Sequence, residues 1–142
     1  MTGPSGGRRI AELRVPAHPD RLRLIRAHVQ EAGALAGLSE DALSDLVCAA
    51  DEACQNIIRH GYGDSARGDI VVAIARAPDA VALTLTDTAP PMPRDVLIPR
   101  TAECPERGGM GTQVICACVD GIDLAHGPDG RGNRLTLTKR MV

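Results

Sequence analysis

The segment from Ser39 to Gly63 constrains the fold most strongly, because it predicts a long helix with one buried face. Ser39 is a favourable N-terminal cap, and Glu40 and Asp41 place negative charge in the first turn, where the helix dipole stabilises it. Gly61 and Gly63 predict the end of the helix. Its apolar positions recur at helical spacing: Leu43, Leu46, Val47, Ala50, Cys54, Ile57 and Ile58.

Shorter patterns on both sides of this helix predict two further helices and about five strands. Asp20 is expected to cap a first helix that ends near Gly37 and carries Leu22, Ile25, Val29 and Leu35. A third helix is predicted over residues 112–119, and strands over residues 8–15, 69–75, 81–86, 122–125 and 134–140. Lys139 continues an apolar strand face, and fraying at the chain end is its simplest interpretation. Runs of strand between helices favour a two-layer α/β sandwich, with three helices on one face of a mixed, mostly antiparallel sheet.

Length and composition narrow the functional classes. The 142 residues fit one domain, with residues 1–7 as a flexible N-terminal tail and residues 8–142 as the folded unit. A net charge of −2 and a single aromatic residue argue against direct nucleic-acid binding. No apolar run approaches the roughly 20 residues of a membrane span, so no membrane association is expected. Five cysteines without a CxxC pair predict reduced thiols and a cytoplasmic location.

Three polar residues lie on one edge of the long helix. Glu52, Asn56 and His60 recur every four residues, so the first two side chains meet one turn apart. A carboxamide oxygen can bind Mg²⁺ without adding charge beside a polyanion, and a carboxylate can accept a proton from a nucleophile. Taken alone, the pair is better explained by a solvated helix edge. His60 is better explained as a residue that satisfies the helix end.

Two later features fit a nucleotide. Asp87 ends an apolar strand, where a carboxylate can accept a hydrogen bond from the exocyclic amine of adenine, although a turn-initiating Asp is common. The cluster at residues 108–111 precedes the helix predicted at Thr112, so its backbone amides can approach a phosphate; a flexible hinge is the alternative. The sequence contains no Walker A loop. Arg100 and Arg107 are placed either to contact phosphates or to remain solvated.

Four segments together resemble a known family. Residues 52–62 resemble the N box of the histidine-kinase-like (GHKL) ATPases, particularly the bacterial anti-sigma factors that are serine-protein kinases. Residues 84–93 are similar to the first glycine box of that branch, and residues 108–120 to its second. Residues 132–139 are similar to its closing strand. The four motifs occur in the family order across most of the chain.

The resemblance implies a Bergerat-type ATP-binding fold over residues 8–142 and assigns roles to individual residues. Asn56 would coordinate magnesium, Glu52 would be the general base for a serine hydroxyl, and Asp87 would bind adenine. The glycines at 109 and 111 would let a lid close over the phosphates. The implied nucleotide-binding set is Asn56, Asp87, Ala89, Gly108, Gly109, Gly111 and Thr112. Ala89 departs from the pattern, because the first box normally has glycine there; its methyl group can crowd the adenine or restrict φ.

The resemblance also implies a function. The chain is expected to be a Mg-ATP-dependent serine-protein kinase that acts as an anti-sigma factor. Its partners would be a STAS-type anti-anti-sigma protein, which it phosphorylates, and a sigma factor, which it sequesters; a homodimer is expected. Two alternatives remain open at this point. One is a partner-switching module that binds ATP or no nucleotide and has no catalytic role, and the other is a GHKL-type regulator of a phosphatase.

Overall fold

The computed structural model describes residues 7–63, 68–91, 110–127 and 131–141, with side chains from residue 114 onward in the third range. The described strands are β1 (Arg8–Pro16), β2 (Asp69–Arg76), β3 (Ala80–Asp87), β4 (Gly121–His126) and β5 (Asn133–Arg140). The helices are α1 (Leu22–Ala36), α2 (Glu40–Asn56) and α3 (Met110–Cys118). A 3-10 turn (Pro19–Arg21) precedes α1, and a π-helical turn (Ile57–Gly61) extends α2.

The five strands form one sheet in the order β1-β2-β3-β5-β4. Every described pairing is antiparallel, where the sequence predicts a mixed, mostly antiparallel sheet. Val72, Leu85 and Leu135 lie side by side across the three central strands and are almost completely buried. Alternate residues of β3 and β5 face away from this core and are small or polar, as in Thr84 and Thr136. The predicted two-layer α/β sandwich is confirmed.

Helix α2 forms as its pattern predicts. The Ser39 hydroxyl accepts a hydrogen bond from the Ala42 amide at 3.2 Å, which satisfies one of the amides that the first turn leaves free. The predicted apolar stripe faces the core, with Val47 half-buried and the other six positions buried. None of the described helices is long and apolar enough to cross a membrane.

Two expectations for α1 are wrong. His18 caps the turn before the helix, accepting the Asp20 amide at 3.2 Å through Nδ1, while the Asp20 carboxylate pairs with His18 and Arg21. Leu35 is 78% exposed. Ala36 lies eleven residues after Ile25 and so returns to the same helix face, whereas Leu35 is one residue short of it.

Lys139 does not fray. Its ammonium group donates to Asp45 Oδ2 of α2 at 3.1 Å and to the Cys118 carbonyl at the end of α3 at 2.9 Å. The Lys139 side chain is only 14% exposed. It therefore satisfies the C-terminal end of α3 and joins it to α2 and β5. The thiols also differ from expectation, since Cys116 is disulfide-bonded; Cys104 lies outside the described residues.

Candidate functional site

Asp87 is a buried carboxylate with one oxygen left over. Only 4% of the residue is exposed, at the end of β3. Its Oδ1 accepts hydrogen bonds from the Ala89 amide at 2.9 Å and from Asn133 Nδ2 at 3.0 Å. Its Oδ2 is buried and has no hydrogen-bond partner among the described residues. Because an unsatisfied buried acceptor costs free energy, this oxygen is placed to receive a donor from a ligand.

Burial dominates the electrostatics of this carboxylate. It raises the pKa of Asp87 above its ordinary value, although the hydrogen bonds from Asn133 and from the Ala89 amide lower it. The described residues form no ion pair with Asp87, so in its ionised form it is a buried charge stabilised by hydrogen bonds alone. A ligand that donates to Oδ2 would further stabilise that form.

The start of β5 holds the loop after Asp87 in place. Asn133 Nδ2 also donates to the Pro90 carbonyl at 3.1 Å, and the Gly132 amide donates to the Ala89 carbonyl at 3.0 Å. Gly132 has φ of +74°, and a Cβ on it would collide with the carbonyl oxygen of Asp87. Glycine is therefore required here on two grounds. Sequence reasoning missed Gly132 and Asn133 as site residues; the available signal was a Gly-Asn pair at the start of a predicted strand.

Tyr62 joins the end of α2 to the same loop. Its hydroxyl accepts the Thr88 amide at 2.9 Å and donates to the Asp69 carbonyl at 2.9 Å. The ring also lies against Gly68, where a Cβ would come within 2.6 Å of Tyr62 Cε1. Sequence reasoning gave this residue no role, although it is the only aromatic residue of the chain. Tyr62 positions the residue after Asp87 relative to α2.

The polar edge of α2 is connected to Tyr62 through the π-helical turn. Asn56 is buried, Glu52 is half-buried and His60 is exposed, which agrees with a helix-end position for the histidine. The π-helical turn starts directly after Asn56 and ends with the Tyr62 amide donating to the Ile57 carbonyl at 3.0 Å. Such turns recur at functional sites because they redirect the residues on either side.

Neighbouring residues fix the position of α2. Asp51 accepts from Arg26 Nη1 of α1 at 2.9 Å and from Gln55 Nε2 at 2.8 Å, so its carboxylate is fully engaged. Among the described residues, no such bond engages Glu52 or Asn56. Burial, followed by the charges of Asp51 and Asp87, raises the pKa of the Cys54 thiol.

The structure thus joins Asp87 and Ala89 to β5, and Tyr62 links the next residue, Thr88, to the end of the helix that carries Glu52 and Asn56. The phosphate side of the predicted site is only partly described. Gly108 and Gly109 lie outside the described residues, as do Arg100 and Arg107. Gly111 and Thr112 belong to the first turn of α3, which begins at Met110, two residues before the predicted start.

Ala89 occupies the position at which the family pattern has glycine. It is 1% exposed, and its amide and carbonyl are both used, by Asp87 and Gly132 respectively. The backbone of this loop therefore forms with alanine in place. Ala89 therefore adds a methyl group two residues after Asp87, in the loop where the family pattern has none.

We expect Ala89→Gly to tighten ATP binding several-fold by removing this methyl group. The same change should lower the free energy of unfolding by roughly 0.5–1 kcal/mol, because glycine has more conformational freedom in the unfolded chain. Isothermal titration with Mg-ATP and thermal unfolding without ligand measure the two effects separately. Weaker ATP binding in the variant would mean that the methyl group packs against the base rather than crowding it.

Comparisons with known proteins match the chain to one family. The histidine kinase-like ATPase domain family matches residues 15–139. An anti-sigma F factor from Bacillus licheniformis is 30% identical over 106 residues, covering 71% of each chain. The serine-protein kinase RsbW of Bacillus velezensis is 28% identical over 76 residues, 54% of this chain; the aligned part spans about half of that kinase, 48% of its length.

A solved structure adds to these relatives. The crystal structure of the RsbU and RsbW domains of Rv1364c from Mycobacterium tuberculosis superposes with a TM-score of 0.63 at 27% identity. The match covers 92% of this chain and 32% of that longer chain. The fold similarity therefore includes nearly all of the present sequence.

Proposed function

We propose that this chain, which belongs to the histidine kinase-like ATPase family and to its branch of anti-sigma-factor serine-protein kinases, is an active Mg-ATP-dependent kinase. Its substrate would be a serine on a STAS-type anti-anti-sigma protein, and its second partner a sigma factor. The observation that carries the proposal is the buried, unpartnered Oδ2 of Asp87. The names of the relatives support the kinase and anti-sigma roles.

Asp87 fits adenine rather than guanine. A carboxylate oxygen accepts hydrogen bonds only, so it pairs with the exocyclic amine of adenine and repels the carbonyl that guanine carries at the same position. Because Oδ2 is buried, water is not available to replace the lost bond when the wrong base enters. The fixed position of Oδ1 orients the free oxygen.

Asn56 fits a magnesium ion that is held mainly by phosphate. The described residues contain no group of three or more His, Cys, Asp or Glu side chains that could hold a metal by themselves. Mg²⁺ commonly takes only one or two protein oxygens and completes its octahedron with phosphates and waters, so one carboxamide suffices. When bound, Mg-ATP supplies the phosphoryl group, and the cation neutralises charge on it.

Glu52 is the general base of the proposal. Its carboxylate lies one turn before Asn56 and is half-buried, so a hydroxyl from another protein can approach it. The carboxylate would accept the serine proton while the serine oxygen forms its bond to the γ-phosphorus and the bond from that phosphorus to the β,γ-bridging oxygen breaks, which releases ADP. Asp51 cannot take this role, because Arg26 and Gln55 already engage both of its oxygens.

The test is phosphoserine formation on a captured partner. The tagged chain is used to recover binding proteins from the native cells, and the complexes receive labelled ATP with magnesium. We expect label on a serine of one small partner, absent when the adenine pocket is disrupted or EDTA removes magnesium. A partner that binds tightly and never acquires label would overturn the kinase assignment and favour the non-catalytic binding module, which the departure at Ala89 already makes a specific rival.

A further inference from the structure

Two thiols meet where α2 packs against α3, away from the proposed nucleotide site. Cys48 is exposed on α2 and Cys118 is half-buried at the last residue of α3; neither is in a disulfide. Cys48 lies three residues after Asp45 on α2 and contributes to the raised pKa of the Cys118 thiol, so the two side chains are near each other. Neither residue has a role in ATP binding or phosphoryl transfer as proposed above, so the proposed function does not explain why the two thiols are near each other.

The surrounding contacts show that this proximity is built into the packing. Lys139 Nζ lies 3.1 Å from Asp45 Oδ2 and 2.9 Å from the Cys118 carbonyl oxygen. Asp45 and Cys48 are three residues apart on α2 and therefore share a face. The lysine thus fixes the end of α3 against that face of α2. One of the two contacts of Lys139 is to a backbone carbonyl, so the separation between α2 and the end of α3 does not depend on side-chain rotamers alone.

We propose that Cys48 and Cys118 are an oxidation site, at which a peroxide forms a disulfide that joins α2 covalently to α3. In the first step, the Cys48 sulfur attacks one peroxide oxygen, giving the sulfenic acid and one water. In the second step, the Cys118 sulfur attacks the Cys48 sulfur and displaces a second water. Each sulfur loses one electron, and the peroxide gains the two electrons and the two thiol protons.

The two sulfurs differ in the way this sequence requires. Cys48 is exposed, so peroxide reaches it first. Burial raises the pKa of Cys118 to about 11, with further increases from Cys48 and Asp45 and a decrease from Lys139. Cys118 is therefore protonated at neutral pH and poorly reactive toward peroxide, which suits the resolving thiol. Cys54 is completely buried, so peroxide does not reach it and it provides an internal control thiol.

The bond would have a structural consequence independent of the proposed kinase activity. Glu52 follows Cys48 by one turn on α2, and α3 begins at Met110 in the glycine-rich segment. A disulfide would hold the far end of α3 to α2, in addition to the Lys139 bridge. Oxidation would then limit movement between these two helices.

The test is a mass-spectrometric map of the oxidised chain. The full chain is treated with a small excess of hydrogen peroxide, its remaining thiols are blocked with N-ethylmaleimide, and it is cleaved after acidic residues. This cleavage releases Cys48 between Asp45 and Asp51, apart from Cys54. We expect the Cys48 peptide to become linked to the peptide that carries Cys116 and Cys118, with the loss of two hydrogen atoms relative to the untreated chain, and dithiothreitol should separate this linked pair.

Matched variants assign the bond. Cys118→Ser should abolish the linked pair and leave Cys48 oxidised to sulfenic or higher acids, whereas Cys54→Ala should retain the pair. Thermal unfolding without peroxide confirms that each variant folds. The proposal is overturned if the linked pair persists in Cys118→Ser, which would mean that Cys48 exchanges with the disulfide of Cys116 instead. It is equally overturned if native Cys48 is oxidised to sulfinic acid with Cys118 recovered as the maleimide adduct.

Discussion

Asp87→Asn is expected to weaken ATP binding by about 10- to 150-fold while leaving the fold intact. The asparagine oxygen can still accept from Ala89 and Asn133, so the loop keeps its hydrogen bonds. Its amide then occupies the place of Oδ2 and presents a donor to the donor on adenine. A hydrogen bond to a charged group contributes about 1.5–3 kcal/mol, and each 1.4 kcal/mol corresponds to about tenfold in affinity.

The measurement is thermal unfolding with and without Mg-ATP, followed by calorimetric titration. Ligand at about 100 times its dissociation constant stabilises the native chain by roughly 2.7 kcal/mol, and most of this shift should disappear in the variant. Asp69→Asn is the matched control. The Asp69 carboxylate lies at the surface and pairs with Arg14 at 3.3 Å, while only its backbone carbonyl contacts Tyr62. Native affinity in Asp87→Asn would remove the adenine assignment.

Asp87 also predicts how stability changes with pH. Its folded-state pKa is raised by burial above the ordinary 3.8. Below pH 3.8 the carboxyl group is protonated in both the folded and the unfolded chain, so its burial costs no free energy of ionisation. As pH rises from there through the raised pKa, the unfolded state ionises first, so the unliganded protein loses stability. The pH dependence should be weaker in Asp87→Asn than in the native chain, and ATP should bind less tightly at acid pH.

The sequence predicted those elements of the fold whose residue patterns extend over only a few neighbouring residues. Helix α2 was predicted with its cap because helical spacing is visible within a few turns, and β2 and β3 were predicted because strand patterns are visible within a few residues. Asp87 was predicted as a site residue by its position at a strand end. Asn133 was not, because it bonds Asp87 across 46 residues of chain, and only the β3–β5 register brings the two together.

The wrong predictions concern residues whose positions depend on contacts with other elements of the fold. Leu35 was grouped with the apolar positions of the first helix, although its angular position on α1 belongs to the solvent face. Lys139 was assigned to a frayed end because a charge on an apolar strand face has no local explanation. Its long apolar stem lets the ammonium group reach Asp45 and the Cys118 carbonyl at the edge of the core. Partners on other elements decide such positions.

Glu52→Gln is expected to lower phosphoryl transfer by about 10²- to 10⁴-fold, the contribution typical of a general base. Glutamine has nearly the same shape and cannot accept the serine proton. ATP affinity should change little, because Glu52 is assigned to the proton and not to the nucleotide. The variant is therefore expected to separate two activities that Asp87→Asn removes together. Single-turnover transfer to the captured partner and calorimetric titration with Mg-ATP measure them on the same preparation.

Glu40→Gln is the matched control, since it makes the same change on the same helix about three turns from Glu52. It should leave both transfer and ATP binding at native levels. Three outcomes then have distinct meanings. Lost transfer with retained ATP binding supports Glu52 as the base. A native rate of phosphoryl transfer in Glu52→Gln would mean that another residue is the general base. Asp51 would be a poor candidate, because Arg26 and Gln55 bond to both of its carboxylate oxygens. Retained partner sequestration in a transfer-dead variant would show that binding and catalysis are separable, because sequestration needs the surface of the chain and not the proton acceptor.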